Sequence, residues 1–205
     1  GRTIEVDISD AIQGRIPVLS AAWTVGSPGY DPASVSPTKF YSLPDRCGAT
    51  VGVLFQKGSR EAMRGEVTHF IAELPPEALP PRPADARFNL APVTVGAQKS
   101  IVRYRMKRGR TRIFYMSNEV PRKWRPFVKR AIEAWNGPLA HAGFPHAFRC
   151  EDAPSNDPNW SPADPFQDVV RWSNGSTENA TGYPMLDPRS GEVLGGKIVV
   201  GDNLA

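Results

Sequence analysis

The sequence predicts an α+β fold, and three observations carry that prediction. Before residue 75 the apolar residues fall in short β-type runs. A single apolar stripe at helical spacing crosses residues 124–142. Three more β-type runs follow it, separated by loops rich in Pro, Asp and Asn. The 205 residues suffice for one large domain or two small ones with a real core. The 21 Pro and 18 Gly favour turns and short elements over long helices.

The elements are read in chain order. In residues 3–8, Ile4, Val6 and Ile8 alternate with Thr3, Glu5 and Asp7, the period of a half-buried strand. Residues 27–44 carry several prolines and little periodicity and read as a loop. Residues 50–56 and 65–74, rich in Val, Phe, Ile and Thr, flank a turn-forming stretch from Lys57 to Glu61, which predicts a hairpin. Residues 75–87 contain Pro75-Pro76, Pro80-Pro81 and Pro83. Such density removes backbone donors and predicts a linker or a strapped-down crossover. The expected division is a β-rich segment 1–88 with that linker at 75–87, and a second segment 89–205.

In the second segment Val102, Tyr104 and Met106 alternate with Arg103, Arg105 and Lys107. Gly109 sits at a turn and residues 113–116 return, which predicts a basic hairpin. The helical stripe is Trp124, Val128, Ala131, Trp135, Leu139 and Ala142. Trp124 and Trp135, eleven residues apart, share nearly one face and are expected to be buried on the sheet. Gly137-Pro138 predicts a break after Asn136, and Gly143 ends the helix. Residues 147–150, 168–173 and 197–200 read as strands.

Several chemistries are weak or excluded. No apolar run reaches the ~18 residues that cross a bilayer as a helix. His69, His141 and His146 do not share a helical face, so no metal site is read from them. Cys47 and Cys150 leave a disulfide and two free thiols equally open. Residues 99–130 hold 12 Lys and Arg against one acid, Glu119. Trp124 and Phe127 lie on or beside the apolar stripe, so the cluster reads as a solvated face, facing the five carboxylates of residues 151–168, rather than as a nucleic-acid footprint. Residues 157–164 read as turn-forming aspartates rather than a calcium loop. There is no G-x-S-x-G, phosphate loop or C-x-x-C. No catalytic residue and no cofactor is assigned to this chain.

From residue 113 onward a resemblance enters. Tyr115, Val120-Pro121-Arg122-Lys123-Trp124-Arg125-Pro126, Ala131-Ile132-Glu133-x-Trp135-Asn136 and Ala142-Gly143-Phe144 follow one another. Then come Asp157-Pro158-x-Trp160-x-Pro162-x-Asp164, Val170-Arg171-Trp172 and Asp187-Pro188-Arg189-Ser190-Gly191-Glu192. Together they resemble the opening of the catalytic domain in a family of bacterial metzincin-like zinc metallopeptidases. Upstream, Gly1-Arg2-Thr3-Ile4-x-Val6-Asp7, Leu74-Pro75 and Arg82-x-Ala84-Asp85-x-Arg87 resemble the domain of unknown function that precedes it.

The resemblance implies a mixed sheet with one long helix, the substrate-side half of a metzincin catalytic domain. It implies a hydrolase, secreted or in the cell envelope, that acts on peptide or protein substrates with zinc. Family members carry H-E-x-x-H-x-x-G-x-x-H after the strand that residues 197–200 resemble, two of its histidines facing zinc and its Glu serving as general base. The chain as given reaches Ala205 without that motif, and is expected to be an excised or processed segment, inactive by itself. The resemblance also makes Lys197, Ile198, Val199, Val200 and Gly201 the sheet edge lining the cleft, and therefore substrate-binding. Cys47 reads as an ordinary thiol rather than a prodomain cap on zinc. The alternative reading is a non-catalytic binding protein on the same scaffold, its basic hairpin contacting an anionic partner.

Overall fold

The computed structural model describes residues 31–57, 61–85, 87, 92–174 and 179–204; the predicted strand at 3–8 lies outside them. The chain forms two compact units, Gly1–Glu73 and Leu74–Ala205. Among the described residues both are built on sheets and the helices lie in the second, so the fold is mixed α+β.

In the first unit three antiparallel strands run in the order β1 (Asp31–Leu43), β2 (Arg46–Lys57), β3 (Glu61–Ala72). The expected hairpin is the β2–β3 pair, in register from Lys57 opposite Glu61 to Arg46 opposite Ala72. Val51, Val53 and Phe55 on central β2 are buried. The expected loop at 27–44 is corrected: most of it is strand β1. Its prolines are tolerated because β1 is an edge. The pairing slips between Pro32 and Ser34 and between Pro37 and Lys39, and an edge or bulge position needs no donor from proline.

The second unit holds a five-stranded sheet in the order β7-β6-β8-β10-β9. Here β6 is Arg112–Met116, β7 is Phe148–Asp152, β8 is Asp168–Ser173, β9 is Ala180–Leu186 and β10 is Val193–Gly201. A small hairpin, β4 (Val93–Val95) and β5 (Gln98–Ser100), precedes them. Strands β7, β6, β8 and β10 are mutually parallel, and β9 joins antiparallel to β10. The basic hairpin is corrected as well. Both neighbours of β6 are parallel, and residues 101–105 are tied instead to the β9–β10 turn, with Arg103 N–H donating to Gly191 O and Val193 N–H to Arg103 O. The turn at 107–110 is present, with Arg110 N–H donating to Lys107 O.

The core packs on one sheet face. Phe114, Met116, Cys150, Val170 and Trp172 are buried there with Val120, against Trp124, Val128, Ile132, Ile198 and Val200. Trp124 stacks on Trp172 with ring centroids 6.4 Å apart. The helix is broken: α1 spans Arg125–Glu133 and α2 spans Asn136–His141, so the break precedes Asn136 instead of following it. Ile132 packs on the core while Ala131 is exposed. Trp135 is 62 % exposed, and its expected burial is overturned.

The proline-rich segment 75–85 belongs to the second unit and is strapped to it. Arg189 Nη2 donates to Pro75 O, Arg105 Nη2 to Glu77 O and Arg103 Nη2 to Pro80 O, each at 2.6 Å. Ile101 N–H donates to Arg82 O, and Ala84 N–H donates to Lys99 O. A chain poor in its own donors keeps its carbonyls free to accept, and arginine supplies the donors. Much of the basic cluster therefore serves internal acceptors.

Candidate functional site

Five strands leave two edges, and the residues beside them decide what each can do. At β7 the edge is closed by side chains of the broken helix. Asn136 Nδ2 donates to Phe148 O and Phe148 N–H to Asn136 Oδ1, both at 2.8 Å, while Cys150 N–H donates to Glu133 Oε1 at 3.2 Å. An asparagine carries one donor group and one acceptor, so it can satisfy both backbone groups of a single edge residue. The helix breaks where Asn136 makes that pair.

At β9 the edge is open. The strand pairs with β10 from Leu186 opposite Val193 to Ala180 opposite Val200, and among the described residues nothing hydrogen-bonds its other side. Tyr183 and Met185 stand on one face of it, 59 % and 45 % exposed. Pro184 sits within the strand, which only an edge tolerates.

The turn from β9 to β10 is rigid. Buried Asp187 accepts from Arg189 N–H at 2.8 Å and holds the Arg189 guanidinium through both oxygens, and that contact keeps its carboxyl below the usual range. Gly191 has φ +73°, and a Cβ there would come within 3.0 Å of Ile101 O, so no other residue fits without strain.

The predicted substrate-binding run lies elsewhere than expected. Lys197, Ile198, Val199 and Val200 lie in an interior strand, paired with β8 on one side and β9 on the other, and Gly201 pairs with β8, so their reading as the sheet edge is corrected. Ile198 and Val200 face the core. Lys197 Nζ donates to Asp164 O at 2.6 Å and Gln167 O at 2.8 Å, fastening the 153–167 connection to the opposite face. Burial lowers its pKa to about 8, against the pull of Asp164 and Asp168. Gly195 lets that connection approach, since a Cβ there would lie 2.1 Å from Pro165 O. An apolar run signals a strand in the core, and pairing on both sides makes residues 197–200 interior to the sheet although each is only half-buried. The signal for β9 was the alternation of Thr181, Tyr183 and Met185 around Gly182 and Pro184, masked by the proline.

Buried Asp168 pairs with Arg112, and burial raises its pKa in spite of that partner. Arg112 also donates to Leu194 O and lies over the Tyr104 ring. This group sits where β6 and β8 begin, and joins strand starts. Cys47 and Cys150 are both free, and burial pushes the Cys150 thiol up to about 11. Among the described residues no three His, Cys, Asp or Glu side chains converge, so they offer no set that fits the zinc the resemblance implies. No helix among them is long and apolar enough to cross a membrane. Comparison with protein-family models, with curated proteins and with solved structures finds no match.

Proposed function

We propose that this chain is a portion of a secreted or cell-envelope metzincin-like zinc metallopeptidase, and that its second unit holds the peptide substrate along β9. The observation that carries this reading is the unequal treatment of the two sheet edges: β7 is closed by Asn136 and Glu133, and among the described residues nothing closes β9. An open edge offers unpaired N–H and C=O groups to an extended chain, which adds as one more strand. The rigid Asp187–Glu192 turn and the strapped segment 75–85 hold β9 and β10 in place, so little ordering is needed at that edge. In the resemblance, zinc and the general base come from an H-E-x-x-H helix that follows the strand; they supply the activated water. This chain's contribution is binding and orientation of the peptide.

The test is an amide-resolved titration with an unlabelled casein digest. Shifts and slowed exchange should be confined to Ala180–Leu186 and absent from Phe148–Asp152. Binding that leaves β9 unchanged would sink the proposal. The coding sequence after Ala205 separates the enzyme from its alternative, a non-catalytic binding protein with an anionic partner. H-E-x-x-H within some tens of residues supports the enzyme, and a stop codon supports the binding protein. The alternative draws its support from the cations around Arg105–Arg112.

A further inference from the structure

At the opposite end of the sheet from Gly201, a cleft of about 200 Å³ opens beside the start of β6. Four cations line it, Arg105, Lys107, Arg110 and Arg112, with Met106 and Ala147 as apolar wall, and no acid is among the lining residues. The four are held differently. Arg105 grips buried Glu192 through Nε (2.8 Å) and Nη2 (2.7 Å), and its Nη2 also donates to Glu77 O. Arg112 is gripped by buried Asp168 through Nε and gives Nη2 to Leu194 O at 2.8 Å. Both guanidinium planes are thus locked, each is about a quarter exposed, and among the described residues neither Nη1 has a protein acceptor. Lys107 and Arg110, on the exposed turn, have no ion pair or hydrogen-bonded side-chain partner there at all.

From this arrangement we propose that the cleft is a binding site for a tetrahedral oxyanion, the phosphate or sulfate group of a monoester. Glu192 and Asp168 offset the charge of the two locked arginines, with Glu77 and Asp187 also near Arg105, so those arginines contribute directed N–H groups. The uncompensated charge is that of Lys107 and Arg110, about two positive charges, which matches a phosphate monoester dianion and exceeds the single charge of a sulfate monoester. A carboxylate offers two oxygens in one plane, which suits donors from one direction better than donors from several. An anion with three terminal oxygens can accept from the two free Nη1 groups and a rim cation together. The volume holds roughly six or seven waters at ~30 Å³ each, enough for one such group and part of its bearer. The site is independent of the peptide edge and stands or falls without it.

The experiment titrates the chain with phenyl phosphate, phenyl sulfate and benzoate, following the Nε–Hε signals of Arg105 and Arg112. At least one of the two esters should bind saturably, one per chain, with a dissociation constant on the order of 1 mM. The more tightly bound ester identifies the source of the group. The double variant K107A/R110A should weaken binding at least about tenfold, the loss of two charge-assisted contacts. R122A, a distant exposed cation, should leave it unchanged. Among the described residues the Lys107 and Arg110 side chains are exposed and make no hydrogen bond or ion pair, so the double variant is expected to fold, which its circular dichroism spectrum checks. Absence of saturation, equal binding of benzoate, equal loss in R122A, or affinity that grows with polyphosphate length at no fixed stoichiometry would each overturn the assignment.

Discussion

The two edges of the five-stranded sheet, β7 and β9, are built from opposite materials. β7 is short and half-apolar and lies beside a helix that gives up its regularity to cap it, with Asn136 and Glu133 covering Phe148 and Cys150. β9 carries a proline, a glycine and two exposed large side chains, and nothing among the described residues covers it. An edge is a hazard of unwanted pairing, and proteins that leave one open either blunt it or use it. The difference teaches that, among the described residues, this sheet is protected against a sixth strand on one side only.

The sharpest break of that comparison lies between the sheet's centre and its margins. Phe114, buried among Tyr104, Phe148 and the core, should cost about 3–5 kcal/mol when cut to Ala, by lost burial plus cavity. Denaturant unfolding measures it, and a loss below about 1 kcal/mol would show that the core is elsewhere.

Asn136→Ala tests the closed edge itself. It leaves Phe148 N–H and C=O without partners and should cost about 1–3 kcal/mol. It should also make β7 adhesive, so light scattering is expected to show concentration-dependent association that Trp135→Ala does not show. If the variant stays monomeric and stable, Asn136 is not what closes β7.

A third effect separates β10 from β9. Lys197 has its pKa lowered from 10.5 to about 8 by burial, so between those values the unfolded chain binds more protons than the folded one. Stability should therefore rise as pH climbs above about 8, and Lys197→Met should flatten the rise. Cys150 and Tyr104, pushed up to about 11 and about 12 by burial, act in the opposite direction above their ordinary values of 9 and 10, so the measurement belongs below pH 9. A wild-type slope unchanged in the variant would place the titration on another group.

The smallest effects are expected at the margins. Trp135→Ala should cost less than about 1 kcal/mol despite the size of the side chain, because 62 % of it is in water. Tyr183→Ala should change stability by no more than about 0.5 kcal/mol while weakening peptide binding along β9. A large stability loss at Tyr183 would mean that this face of β9 is covered.

By itself the sequence determined the elements whose signal is local. The runs that became β2, β3, β8 and β10 alternate or cluster apolar residues at strand length. The stripe from Trp124 marked the helix, and Gly143, at φ +88°, marked its end. The turn at 107–110 was legible from Gly109. Only the tertiary structure decided which strand lies at an edge, because that depends on whether a neighbour is present, and a neighbour comes from far along the chain. Proline's missing N–H forbids a strand only where a neighbour needs the donor, so β1 and β9 look like loops until their open sides are known. Residues 101–107 alternate like a strand but never pair with β6, because β7 and β8 occupy both of its sides. Trp135 keeps helical spacing with Trp124 yet faces water, because Asn136 breaks the helix to bond with Phe148, and that bond joins residues no local pattern relates.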